Sequence, residues 1–166
     1  FAHDEPLPIE ERLDLVRSFR AAFDDGRDFI YGIFNAEETR VLGGTGLHTR
    51  RGDDTREIGY WIHAEHTNKG LATEATAALT GVGFELEGVN RIEIRCDPEN
   101  AASAAVPEKL GFQREGILRN AEKDTQGEPR DTLIQSMIPE EYAESEAAGF
   151  GYKAFDVLGR ELGGGD

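Results

Sequence analysis

Cysteine is nearly absent from this chain: Cys96 stands alone. One thiol makes no internal disulfide, and without a cluster of Cys and His the sequence points to no metal centre. Lysine is scarce too. Lys69, Lys109, Lys123 and Lys153 are the only ones among 18 Lys+Arg, against 33 Asp+Glu, for a net charge of −15. No basic stripe is visible, which argues against nucleic-acid binding. No apolar run approaches a membrane span, and no signal peptide is visible. No Met opens the chain at Phe1, so its start is expected to be processed or cut. Many acids with little lysine is the composition of a protein solvated in concentrated salt, which gives the expectation of a halophile's cytoplasm. An acidic face would also draw cationic substrates; general adaptation to salt is the plainer reading.

At 166 residues the chain is long enough for one domain with a proper core. Ile9, Leu13, Val16, Phe19 and Phe23 recur at helical spacing, after Pro6 and Pro8 and before Asp25-Gly26. Three strands follow at 29–36, 41–49 and 56–64, joined by turn-like links into an antiparallel meander. A helix is expected from the loop at 67–72 to about 87, with Ala72, Ala75, Leu79, Val82 and Leu86 as its buried stripe. Strand 91–96 comes next, and strand–helix–strand implies one parallel pair in an otherwise antiparallel sheet. Cys96 alternates with Ile92 and Ile94 towards the core. A helix at 101–110, stopped by Gly111, precedes a hairpin of 112–123 and 131–138 around 125–129. The segment 141–166 reads as an acidic tail or helix with a Gly163–Gly165 end.

The loop Thr67-Asn68-Lys69-Gly70-Leu71-Ala72 carries chemistry. A helix start offers unpaired N–H groups and a partial positive charge, a ready seat for a pyrophosphate. Gly70 lets the backbone approach such a ligand, and Lys69 adds a cation. Thirty residues on, Asp97 to Gly116 contains Asn100-x-x-Ser103 and Lys109-Leu110-Gly111-Phe112.

These two blocks resemble those of the GCN5-related N-acetyltransferase superfamily. Gly70 and Ala72 match its acetyl-CoA loop pattern, Arg/Gln-x-x-Gly-x-Gly/Ala, while Thr67 departs from the first position. The variant Glu57-Ile58-Gly59-Tyr60-Trp61 before the loop and Asn100-x-x-Ser103 after it is similar to the ribosomal-protein N-terminal acetyltransferases of RimJ/RimL type. The likeness covers roughly residues 29–138. It implies a mixed, mostly antiparallel sheet with helices on both faces, forming one domain over 1–140 that lacks the superfamily's first strand and first helix. It also implies acetyl-CoA as cosubstrate and a homodimer as the family's habit.

The resemblance also assigns roles. Asn68, Lys69, Gly70, Leu71, Ala72 and Thr73 would hold the pyrophosphate, with Thr67 at the loop's first position counted among the cofactor-binding residues. The backbone of Ile62 and His63 would face the thioester, and Asn100 would reach the pantetheine arm besides capping its helix. Many members place a Tyr where this chain has Pro107; RimL-type members use the Ser that maps to Ser103, here suited to a hydrogen bond to sulfur. Glu122 matches the proposed RimL base, and Glu57 is the competing base. Pro107 cannot donate to the carbonyl of residue 103, so the helix should bend or start irregularly there. His66 flanks the loop, His48 and His63 could line the amine site, and Trp61 reads as packing. Lys109 and Arg114 could reach the cofactor's 3′-phosphate. The expected acceptor is a protein N-terminal amine, with a polyamine as alternative and a CoA-binding module without catalysis as a second.

Overall fold

The computed structural model describes residues 7–124 and 126–164. Phe1, Pro6, Thr125 and Gly165, used above, lie outside them. Helix α1 (Ile9–Asp24) leads into strands β1 (Phe29–Phe34), β2 (Val41–His48) and β3 (Thr55–Ile62). A 3-10 turn, Ala64–His66, and a short loop open α2 (Leu71–Gly81), which continues as a π-turn, Val82–Leu86. Then come β4 (Arg91–Cys96), α3 (Ala101–Leu110), β5 (Gln113–Lys123) and β6 (Pro129–Met137). The sheet runs β1-β2-β3-β4-β6-β5, and every neighbouring pair is antiparallel except β3–β4. This is the mixed α/β sheet with flanking helices that the sequence implied.

Helices α2 and α3 share one face of the sheet. Ala77 and Leu79 from α2 and Val106 and Leu110 from α3 pack with Leu47, Ile58, Ile92, Ile94, Phe112 and Met137 in one core. Strand alternation explains the choice: Ile92 and Ile94 point to the helices, and Arg91, Glu93 and Arg95 to the other face. Cys96 is buried with Ala104 and Leu133, the packing role its position in that alternation suggested.

The expected buried stripe of α2 holds in part: Leu79 is buried, and Ala72 and Val82 pack against the core. Thr76, Ala77, Leu79, Thr80 and Gly81 are buried, whereas Leu86 is exposed. Thr80 can face the core because its Oγ1 donates to the Thr76 carbonyl at 2.8 Å, which hides its polar atom in the helix; Thr76 Oγ1 is buried with no hydrogen-bond partner among the described residues. The π-turn then rotates the chain, so a pattern counted at 3.6 residues per turn loses its phase after Gly81. Helix α1 forms as expected but buries none of its residues. It meets β1 through Phe23, whose ring packs edge-on against Phe29 and Tyr31.

The segment after 140 is neither one helix nor a free tail. Helix α4 (Pro139–Tyr142) and a 3-10 turn, Glu146–Gly149, are followed by a small hairpin of β7 (Ala154–Phe155) and β8 (Glu161–Gly163). Tyr142 and Ala147 belong to the main core. The Tyr142 and Tyr152 hydroxyls donate to the two oxygens of Glu85 on the π-turn, at 2.7 and 2.9 Å. Gly81 makes room, since a Cβ there would meet the Tyr152 ring at 2.5 Å.

Burial, then the Glu85 carboxylate, pushes the Tyr152 hydroxyl up to about 12, and the Tyr142 hydroxyl is raised by the same causes. A raised folded value means stabilisation that is whole below the unfolded value of about 10 and is lost as pH climbs through the folded one. Thermal unfolding followed across alkaline pH should therefore show Tm falling from about pH 10 upwards. Glu85→Gln should start lower and fall less steeply over the same range.

Candidate active site

Strands β3 and β4 run in register only from Thr55↔Arg91 to Ile58↔Ile94. Beyond that point β3 stays with β2 up to Gly43↔Ile62, and β4 with β6 up to Cys96↔Leu133. The two middle strands therefore splay, and a gap opens between residues 59–62 and the end of β4. The His63 N–H donates to the Leu42 carbonyl at 2.8 Å. Adjacent amides of a strand point opposite ways, so the Ile62 N–H points into the gap. This corrects one expectation: of Ile62 and His63, only Ile62 has an amide free to face a thioester.

Helix α3 stands over the gap. Asn100 caps it, its side chain accepting from the Ser103 N–H at 3.0 Å. The cap uses Oδ1, and Asn100 Nδ2 has no partner among the described residues. Pro107 lies inside the helix, fully buried. Without an N–H it leaves the carbonyl of Ser103 without its usual partner. The Tyr60 hydroxyl of β3 donates to that carbonyl at 2.7 Å. Tyr60 thus fills the vacancy that Pro107 creates and ties β3 to α3 across the gap; burial raises its hydroxyl to about 12. Burial also pushes the Cys96 thiol up, and Ser103 is its hydrogen-bonding neighbour, which opposes that rise. Ser103, Tyr60 and Cys96 meet where the strands part.

The loop beside the gap has the predicted form. Asn68 and Gly70 both take left-handed backbone, with φ of 59° and 84°. Gly70 is the N-cap of α2 and offers no side chain, and the first bond back to the loop is from the Glu74 N–H to the Gly70 carbonyl at 2.9 Å. The amides of Leu71, Ala72 and Thr73 have no partner among the described residues, which leaves a bare helix N-terminus for an anion. Lys69 Nζ lies 3.3 Å from His66 Nδ1 and is exposed. The Thr67 hydroxyl donates to the Ala64 carbonyl at 3.0 Å.

The face of the sheet opposite α2 and α3 is polar. Glu57, 4% exposed, accepts from Arg50 and Arg51. Glu93 accepts from Arg95 at 2.9 Å and from Arg91 at 3.3 Å, and lies 3.4 Å from Arg51. Arg51 also reaches Glu122 at 3.9 Å, so both carboxylates expected as bases share one arginine. Their surroundings differ. Burial pushes the Glu57 carboxyl up, but the bonds and charges of Arg50 and Arg51 more than reverse this and hold it below the ordinary carboxylate value. A carboxylate held that way is a poor proton acceptor; Glu57 is placed as the anion that joins the strands. Glu122 is half exposed at an irregular point of β5, after left-handed Asn120. Trp61, expected in packing, is 51% exposed on this face, its ring over Gly44.

Sequence reasoning missed this network, though Arg91-Ile92-Glu93-Ile94-Arg95 announces a charged strand face. It also missed Tyr60, for which Pro107 was the clue. One grouping runs against the expectation of no metal-ligand cluster: His63, Glu65 and His66 offer donor atoms within 4.8 Å of one another. Lys69 beside His66 and Arg40 at 3.3 Å from Glu65 fill that space with positive charge, so no metal is assigned. Among the described residues no helix is long and apolar enough to cross a membrane. A hollow of about 470 Å³ between β1, the start of α2 and residues 150–152 shares only Leu71 with the site.

Residues 1–113 match the acetyltransferase (GNAT) domain family. The chain belongs to that family and is an N-acetyltransferase. It is 32% identical over 131 residues to the uncharacterized N-acetyltransferase YoaA of Bacillus subtilis (strain 168), covering 78% of this chain and 73% of YoaA. It is 26% identical over 121 residues to the [ribosomal protein uS5]-alanine N-acetyltransferase of Escherichia coli (strain K12), covering 72% and 61%. The structure of Mycobacterium smegmatis RimJ in complex with CoA-disulfide superposes with a TM-score of 0.72 at 29% identity, over 81% of this chain and 64% of that one.

The bond from Tyr60 to the Ser103 carbonyl gives a double-mutant test. Tyr60→Phe should cost about 1–3 kcal/mol, since it strands a carbonyl. In a Pro107→Ala background, where residue 107 regains an N–H for that carbonyl, the same change should cost less by about 0.5 kcal/mol or more. Urea unfolding of the four proteins reads the coupling.

Proposed function

We propose that this chain transfers the acetyl group of acetyl-CoA to a protein N-terminal α-amine. The observation that carries the cosubstrate half is the bare N-terminus of α2 beside the strand gap, with left-handed Gly70 at its cap. The residues fit the ligand: free amides of Leu71, Ala72 and Thr73 for the pyrophosphate, Lys69 for its charge, Asn100 Nδ2 for the pantetheine arm. Acetyl-CoA supplies the acetyl group as a reactive thioester. The Ile62 N–H polarises the thioester carbonyl from the gap, where an aligned donor is worth most. The Ser103 hydroxyl bonds the departing sulfur.

The acceptor half is supported by the uS5-alanine transferase among the relatives and by an open approach. Trp61 is half exposed, and β5 is exposed along its whole length. A polyamine enzyme would call for an enclosed acidic pocket. Half-exposed Glu122 meets the cationic amine and passes its proton on through water. An α-amine has an ordinary pKa near 8, so a modest acceptor suffices. Attack is direct; Cys96, buried with its thiol raised, is unsuited to a covalent intermediate. The proposed setting is a halophile's cytoplasm, and the working unit a homodimer.

Release of free CoA from acetyl-CoA in molar KCl, with peptides starting in Ala, Ser or Met and with polyamines, tests this. Turnover is expected on a peptide, with Glu122→Gln lowering kcat/KM about tenfold. Gly70→Ala should weaken acetyl-CoA binding about tenfold or more, because its φ of 84° is strained for alanine. Turnover on polyamines alone would move the acceptor class. Binding of acetyl-CoA with no turnover on any amine would favour the non-catalytic module.

A further inference from the structure

We propose that His48, oriented by Asp28, is the group on which the acceptor's proton comes to rest. The proposal rests on the transferase reading above and adds a residue to it.

His48 ends β2 on the polar face of the sheet, 8% exposed. Its Nδ1 lies 2.8 and 3.0 Å from the two oxygens of Asp28. A carboxylate only accepts, so Nδ1 carries the hydrogen and Nε2 presents a lone pair. The ring stands over a glycine floor with its Nε2 edge nearest to it. A Cβ at Gly46 would meet Nε2 at 2.7 Å, and one at Gly59 would meet it at 3.4 Å. Gly59 is the residue of β3 that follows the last parallel pair, so Nε2 stands over the root of the gap. Among the described residues nothing hydrogen-bonds Nε2, and it is not among the polar atoms sealed from water without a partner. An imidazole fixed by a carboxylate, its free nitrogen turned to a side-chain-free floor at the reaction gap, is the arrangement of a general base.

Its neighbours agree with that role. Glu57 is its register partner on β3, and Arg50 and Arg51 on the following turn neutralise Glu57. Arg27, before β1, is paired with Asp25. Asp28 is left as the anion directly against the ring. The step balances. The acceptor arrives as an ammonium, and one of its protons passes through water to Nε2, leaving an imidazolium against Asp28. The amine then forms the C–N bond as the C–S bond breaks, and its second proton leaves on the thiol sulfur. Glu122 recruits the ammonium and relays its proton, which comes to rest on the imidazole held by Asp28.

The test is the pH dependence of acetylation of an Ala-start peptide by wild type, His48→Gln and Asp28→Asn. His48→Gln should lose about tenfold or more in kcat with KM for acetyl-CoA little changed, and the acidic limb of the profile should vanish. Asp28→Asn, a positioning change, should move that limb to lower pH, which a purely structural loss would not do. Wild-type-like kinetics in His48→Gln, or a limb that survives it, overturns the proposal. A second readout needs neither turnover nor a folded variant: the ¹⁵N-histidine spectrum of the wild-type protein with CoA bound. The free-amine peptide should shift the His48 Nε2 signal, and its N-acetylated form should not. Equal spectra overturn the role of His48. Failure of every amine to turn over, with the shift present, overturns the transferase reading instead.

Discussion

The parallel pairing of β3 and β4 lasts four residues, and the site depends on where it stops. Up to Ile58↔Ile94 the two strands share a ladder and their isoleucines share a core. Past that point each strand follows its other neighbour, and the middle of the sheet opens. A gap in a sheet leaves backbone groups without partners, which a fold tolerates only if something else satisfies them. Ile62 offers its amide there. Tyr60 spans the opening and gives its hydroxyl to a carbonyl that Pro107 has released. The proline and the tyrosine are thus one device, a helix defect and its remedy, which fixes α3 against the splayed strand.

The two faces of the sheet divide the labour. One carries the helices and the apolar core, and so positions the α2 N-terminus and the Asn100 cap. The other carries four arginines and the buried carboxylates Glu57 and Glu93 at the base of the same gap. Buried carboxylates are costly unless paired, and here they are paired several times over. Lone exposed pairs such as Arg17–Asp14 add little. The network matters because it stiffens the strand ends beside the reacting centre, and because it withdraws Glu57 from acid–base work. Glu122, half exposed, and His48, held by Asp28, lie at its margins.

Much was legible in the chain itself. Alternation placed the strands within a residue or two, the glycine loop marked the start of α2, and Asn100 marked the cap of α3. Pro107 marked a helix that needed help. Other features were illegible for identifiable reasons. Thr76 and Thr80 are buried although polar, and the π-turn shifts the phase after Gly81, which leaves Leu86 exposed. The tail looked like an acidic helix because nothing local shows that Tyr142 and Tyr152 converge on Glu85, more than fifty residues earlier.

What the sequence determined by itself were the properties that repeat along it: strand and helix periods, the charge of −15, the uncapped Gly70 start and the spacing of two motif blocks. These depend on neighbours one to four residues apart. What only the tertiary structure decided was which carboxylate is free and which is held, which amide faces the gap, and that Asp28 meets His48 across twenty residues. Proton affinity and hydrogen-bond supply depend on the dielectric and the charges within a few ångströms. Those neighbours come from distant parts of the chain, brought together when the sheet closes.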